Sequence, residues 1–314
     1  MSKDKYKVRN WSIYNKGLEE RGNINILIPE DLVNQWQYKY DKKELKKRGG
    51  EYVYSEAAIN FCLTVRYMYK LPYRANRGFI GSLFSSLQLS LPIPSISQLC
   101  KRSKQLSIDS MVSRKKITDI AIDSTGLKVY GEGEWKVRKH GAGKHRTWMK
   151  LHVAIDIETQ EIEGMELTSN SVDDATCAGT IITSIESGGG SIRSLRGDGG
   201  YDREKVRKVA YEKNIQQIIP PQSNAVLDKD AKEWMQERNQ AIVRLKGMSR
   251  KDWKVEVGYH KRSLAETVMF RYKTIHGAEL KSRNLENQKT EVKIKCNLLN
   301  VFINLAKPDS YKVA

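Results

Sequence analysis

KITDIAIDSTG, residues 116–126, is the stretch that decides the fold. Apolar and polar residues alternate along it. Ile120 and Ile122 fall on one face of a strand, and Asp119, Ala121 and Asp123 on the other. Alternation does not separate Asp119 from Asp123. Position at the end of the apolar run, before Ser-Thr-Gly, favours Asp123, because ligands in open α/β sheets collect at strand ends.

The elements that follow set the architecture. After a basic connection, residues 148–157 (WMKLHVAIDI) read as a second strand and Glu161 to Thr168 as a third, with a hairpin turn around 158–160. A helix pattern runs from Asp173 to Glu186. A fourth strand, Ile192 to Arg196, leads to a second helix pattern from Asp202 to Lys213 and a short apolar strand, Gln216 to Pro220. Three strands in a meander followed by βα units predict an α/β fold: a ribonuclease-H-like mixed sheet with flanking helices.

A second carboxylate follows the fourth strand, in RGDGGYD, residues 196–202. Glycines on both sides of Asp198 let the backbone turn sharply and approach a ligand closely. An ordinary turn aspartate is the other reading of Asp198. Asp202 stands where a helix N-cap belongs, so Asp198 is taken as the site residue and Asp202 as the cap.

The third carboxylate is in YHKRSLAETVMFRYK, residues 259–273. On one helix, Tyr259, Arg262, Glu266 and Lys273 fall within an arc of about 60°. Leu264, Val268, Tyr272 and Ile275 lie nearly opposite, as an apolar packing face. Ser263-x-x-Glu266 also fits a capping box, so a helix-start role for Glu266 stands beside the catalytic one, and Phe270 interrupts the polar stripe. An acid flanked by two cations and a phenol suits metal-assisted chemistry on a phosphodiester.

These three segments together resemble the bacterial insertion-sequence transposases of the DDE type. The Tyr259/Arg262/Glu266/Lys273 spacing is similar to the Y-R-E-K signature shared by insertion-sequence families four and five. The fifth-family type is the closer match, through NWSIYNKGLEERGNINILI (10–28), LPYRANRGFIGSLFSSLQLSLPIPSISQLCKR (71–102) and WMKLHVAIDIETQEI (148–162). The resemblance covers roughly residues 10 to 306. It implies that the strands bearing Asp123 and Asp198 lie side by side, that Glu266 completes a metal-binding triad, and that two Mg²⁺ ions, with Mn²⁺ as an alternative, serve phosphoryl transfer. It implies no covalent enzyme–DNA intermediate. It also implies DNA as partner, both the terminal repeats of an element and a target, and a homodimer that pairs two ends. Tyr259, Arg262 and Lys273 would grip phosphates near the scissile bond. A cytoplasmic, nucleoid-associated bacterial protein follows.

Composition agrees. The 314 residues carry 55 Lys and Arg against 37 Asp and Glu, a formal net charge of +18, which favours a polyanionic partner. The opening MSKDKYKVRN lacks the apolar core of a signal peptide, and no apolar run is long enough to span a bilayer. Cys62, Cys100, Cys177 and Cys296 are scattered, which predicts reduced thiols in a cytosol. The five histidines form no zinc pattern.

Two domains are expected: a basic and helical N-terminal region, 1–112, and a catalytic domain, 113–314, with an insertion around 222–258. Residues 1 to 54 read as basic and irregular, with Lys42, Lys43, Lys46, Lys47 and Arg48 clustered before Gly49-Gly50. Helix patterns follow at Ser55 to Tyr69, Arg77 to Leu89 and Ser95 to Leu106. Three short helices with a basic third one resemble a helix-turn-helix module, or else a subdomain that packs on the core. Gln98, Lys101 and Arg102 are the candidates for groove contacts. The connection between the first two strands holds Lys136, Arg138, Lys139, Lys144 and Arg146, a phosphate-gripping arm or a solvated hairpin tip. Trp234 and Trp253 in the insertion are either base-stacking or core residues. A last helix, with Val292, Cys296, Leu299, Ile303 and Ala306 in phase, is expected to cover the sheet.

Overall fold

The computed structural model describes residues 5–28, 31–39, 53–106, 108, 117–129 and 148–313. The basic clusters at 42–48 and 136–146, including Arg138, Lys139, Lys144 and Arg146, lie outside the described residues. In chain order the elements are β1 (Lys5–Val8), α1 (Trp11–Glu20), α2 (Glu56–Met68), α3 (Tyr73–Ser86), α4 (Ile96–Ser103), β2 (Ile117–Val129), β3 (Trp148–Asp156) and β4 (Ile162–Ser169). Then come α5 (Asp174–Ser187), β5 (Ser191–Arg196), α6 (Glu204–Glu212), β6 (Gln216–Ile218), α7 (Gln236–Gly247), α8 (Arg250–Glu256), α9 (Ser263–His276), β7 (Glu279–Leu280), α10 (Leu285–Leu305) and β8 (Ser310–Val313). By compactness the chain falls into a helical unit, residues 1–108 with 284–314, and a sheet unit, residues 109–283.

The sheet unit has the strand order β4-β3-β2-β5-β6, with β7 also pairing to β2. β2, β3 and β4 are antiparallel, and β5 and β6 run parallel to β2. This meander followed by parallel strands is the ribonuclease-H-like mixed sheet that the element order predicts. Alternation in β2 holds as read. Ile120 and Ile122 are fully buried against Ile181, Ile182 and Ile185 of α5 and Val206 and Ala210 of α6. α9 packs against β2, and Asp123 on the opposite face is reached by Arg262 from the turn that precedes α9. Gly164 on β4 lets α5 come close, since a Cβ there would lie 2.8 Å from Ile181 Cγ2.

In the helical unit, the Ser55 hydroxyl accepts from the Ala58 N–H at 3.1 Å and caps α2. Trp36, fully buried, sets its ring edge-on to Phe61 and Phe84 and donates from Nε1 to the Pro92 carbonyl at 2.7 Å. Two expectations change here. Residues 11–20 are helical rather than irregular. The last helix, expected to belong with the sheet, is instead part of the helical unit, where it packs on α1, α2 and α4. Its apolar phase described one face only. Thr290, Glu291 and Lys295 are buried as well, and they need polar partners. Thr290 donates to the Ser103 carbonyl at 2.7 Å, and Lys295 pairs with Glu291 at 2.7 Å. Among the described residues no helix is long and apolar enough to cross a membrane.

Candidate active site

Strand register positions the first two carboxylates. The parallel ladder between β2 and β5 ends at Ala121 opposite Arg196, and Asp123 and Asp198 each stand two residues beyond it. Asp123 is not at the end of its own strand, as expected from sequence, because β2 continues to Val129 along β3. What ends is the β5 edge. There Gly197 turns the chain so tightly that a Cβ would meet the Tyr201 ring at 3.0 Å. Asp123 is largely buried, and its Oδ1 accepts the Ser124 N–H at 2.8 Å. Asp198 Oδ1 accepts the Gly200 N–H at 2.8 Å and caps the 3₁₀ turn Gly199–Tyr201.

Asp202 is not the helix cap that sequence suggested. Arg203 holds that position, and Asp202 is buried between Arg207, at 2.8 Å, and Arg238, at 3.2 Å. Arg238 belongs to α7, so this network ties the insertion to the sheet unit's core. Asp119, the other acid on the β2 face, is engaged by Arg193, Ser194 and Arg196 on β5. The Arg193 hydrogen bond is the main reason its carboxyl is held down to about 2. Asp123 is the acid left for the site.

The third carboxylate is brought by α9. Tyr259–Arg262 form a 3₁₀ turn that follows Gly258, at φ +64°, and leads into α9 at Ser263, so the signature residues share two helix types rather than one. Ser263 Oγ donates to the His260 carbonyl at 2.9 Å and caps nothing. The capping-box reading of Glu266 therefore falls. Arg262 Nη1 donates to Asp123 Oδ2 at 3.2 Å, and Nη2 pairs with the exposed Glu266. Tyr259 feels the positive charge of Arg262. Its ring rests 6.4 Å, between centroids, from that of Trp253, which is 3% exposed and is a core anchor. Lys273 is half-buried two turns beyond Glu266 and has no ion pair among the described residues.

Charge organises these groups. Burial pushes the Asp123 carboxyl up, and the negative charges of Asp198 and Glu266 add to that, against the Ser124 N–H and Arg262. Burial also pushes the Tyr259 phenol up. Burial works against the Arg262 charge, yet Tyr259, Glu266 and Asp123 together push its pKa higher still. Among the described residues no three His, Cys, Asp or Glu side chains converge on one ion position. Arg262 holds two of the three acids. The donor chemistry still fits a hard divalent cation, being all carboxylate oxygen, and such an ion would offset the charges of Asp198 and Glu266 that add to burial in raising Asp123.

Sequence reasoning missed the residues behind Asp123. The Ser124 hydroxyl donates to Asp174 Oδ2 at 3.1 Å, and Lys150 Nζ donates to Asp174 Oδ1 at 2.9 Å. His152, fully buried and opposite Ser124 on β3, places Nδ1 3.6 Å from the same oxygen. This cluster depends on cross-strand register, which residue spacing does not carry; the one signal was an Asp-Asp pair at the start of α5.

The remaining candidates lie elsewhere. Trp234 is half-buried between Lys208 and Lys232, with Nε1 3.3 Å from Glu204. In the helical unit, Gln98 Oε1 accepts the Ser95 N–H at 2.8 Å in a capping box, and Arg102 donates to the Tyr54 carbonyl at 2.7 Å. Both therefore have structural partners, while Lys101 is exposed.

Two profiles of the family described as "Transposase DDE domain" match this chain, over residues 19–132 and over residues 114–301, the second covering more than half of it. Three solved structures are similar at low identity. The Drosophila P element transposase strand transfer complex matches at 14% identity and TM-score 0.29, over 64% of this chain and 43% of that one. The simian T-cell lymphotropic virus intasome with PP2A regulatory subunit B56 gamma matches at 11% and 0.27, over 60% and 51%. The piggyBac transposase synaptic complex with hairpin DNA matches at 11% and 0.38, over 89% and 73%. The matched stretch thus spans less than two thirds of the P element and intasome chains.

Proposed function

This chain belongs to the transposase DDE-domain family, and on that premise we propose that it is a DNA transposase of the insertion-sequence family four and five group, fifth-family type. It binds the ends of its element, cleaves them and transfers the 3′-hydroxyl strands into target DNA. Asp123, Asp198 and Glu266 are the catalytic acids. The observation that supports this most is the single guanidinium of Arg262 bonded to both Asp123 and Glu266, with Asp198 just past the end of the neighbouring strand β5.

The three carboxylates would hold Mg²⁺, with Mn²⁺ as an alternative and two ions as the expected number. Bound ions of this kind neutralise charge building on phosphorus and activate the attacking oxygen. The chain's own groups do the rest. The Ser124 and Gly200 N–H groups fix the orientations of Asp123 and Asp198 before DNA arrives. Arg262 offers a planar fork to a non-bridging phosphate oxygen pair, Lys273 a point charge, and Tyr259 a phenolic O–H. The +18 net charge supplies the general attraction for DNA, which salt weakens. Lys101, Gln98 and Arg102 in the helical unit, and Arg138, Lys139, Lys144 and Arg146 in the β2–β3 connection, are the proposed further DNA contacts. A homodimer that pairs two ends is the proposed assembly.

The test uses purified protein, Mg²⁺, a target plasmid and labelled linear DNA carrying the sequences that flank its own gene. Metal-dependent end cleavage and joined product, both lost in Glu266→Gln, are expected. Cut DNA without joined product would make the protein a nuclease of the same fold. Binding without cleavage would make it a DNA-binding relic.

A further inference from the structure

One ring on the site helix has no task in the mechanism above. Phe270 is 70% exposed. It follows Glu266 by four residues and precedes Lys273 by three, so all three lie on one side of α9. The rise from Glu266 to Phe270 is about 6 Å. The other large aromatic side chains around the carboxylates are committed to packing. Tyr201 and Tyr272 are 1% exposed, Trp253 is 3% exposed, and the Tyr259 ring lies against Trp253 and under Lys254 Nζ. No ring among the described residues meets Phe270. A single exposed phenylalanine is ordinary on a protein surface. Phe270 differs in its setting, between Glu266 and Lys273, a lysine with no ion pair among the described residues.

We propose that Phe270 stacks on the base of the nucleotide next to the phosphate that Asp123, Asp198 and Glu266 address, a proposal that rests on the DNA-cleaving reading. Bases inside a duplex have both faces covered by their neighbours, so the stacked base is an unpaired or terminal one. The ring then does for the base what Arg262 and Lys273 do for the backbone. It fixes the strand along α9, and it is indifferent to base identity because every base has a π-face.

The experiment places 5-iodouracil, which photocrosslinks to a stacked aromatic ring, at the nucleotides on either side of the cleavage position in end DNA. Full-length protein is used with Ca²⁺ in place of Mg²⁺ to prevent turnover. A crosslink on the peptide containing Phe270 is expected at one of these positions. It is retained in Phe270→Trp and lost in Phe270→Leu, which keeps apolar bulk without a ring. End binding by Phe270→Leu weakens about 5- to 100-fold. An undiminished crosslink and unchanged affinity in Phe270→Leu overturn the proposal. So does a change in the sedimentation of DNA-free Phe270→Leu with DNA binding intact, which makes the ring a protein contact. If wild-type protein cleaves ends in Mg²⁺ but gives no such crosslink, stacking alone fails. If it does not cleave them, the transposase reading fails with it.

Discussion

Arg262 Nη1 lies 3.2 Å from Asp123 Oδ2, although 139 residues separate the two in sequence. The other terminal nitrogen holds Glu266, one helical turn away. One guanidinium therefore joins strand β2 to helix α9 and compensates two acids.

Arg262→Lys keeps the charge but not the fork, so it meets one acid or one phosphate oxygen at a time. End cleavage is expected to fall about 100-fold, the loss typical of removing one preorganised charge donor. Single-turnover cleavage measures it, and a wild-type rate would take the fork out of the mechanism.

Asp119 predicts an acid limb of stability. Its folded pKa is about 2 against an ordinary 3.8, so its contribution is present above about pH 4 and is lost as pH falls toward 2. Urea midpoints between pH ~5 and ~2 should fall more steeply for wild type than for Asp119→Asn. Parallel slopes would show that the Arg193 pairing does not persist in solution.

Removing Asp202 leaves Arg207, whose side chain is 1% exposed, without its counter-ion, and frees Arg238 from the core. Asp202→Ala should cost about 3–5 kcal/mol by urea unfolding, since breaking one half of a buried pair strands the other half. A loss of less than about 1 kcal/mol would mean that the network is solvated.

Ser124→Ala retains the backbone N–H that Asp123 accepts but releases the hydroxyl bond to Asp174. Cleavage should fall about 10- to 100-fold with DNA binding unchanged, as for groups that orient a ligand from behind. Equal cleavage rates would confine the Asp174, Lys150 and His152 cluster to a structural role.

The sheet was legible because its signals are local. Ile120 and Ile122 alternate with Asp119 and Asp123, and each later strand is bounded by glycine or a polar run. The choice between Asp119 and Asp123 was not local. It turned on Arg193 and Arg196, which reach Asp119 only through the parallel register of β5. The same holds for Asp202, whose partner Arg238 is 36 residues away. The last helix misled because periodicity reports one apolar face and says nothing of a buried Glu291–Lys295 pair. The Arg262–Glu266 contact was within reach of sequence, since an i, i+4 pair needs only the pitch of a helix.

The helical unit is discontinuous: it opens with α1 to α4 and closes with α10, after the whole sheet unit has been spelled out. During synthesis the first helices leave the ribosome early and wait some 180 codons for the segment that buries Thr290 against Ser103 and encloses Glu291 and Lys295. A nascent chain that stops short of residue 284 has every strand of the large sheet and all three candidate acids, yet an unfinished companion unit. Closing that companion therefore requires the chain to be made through α10.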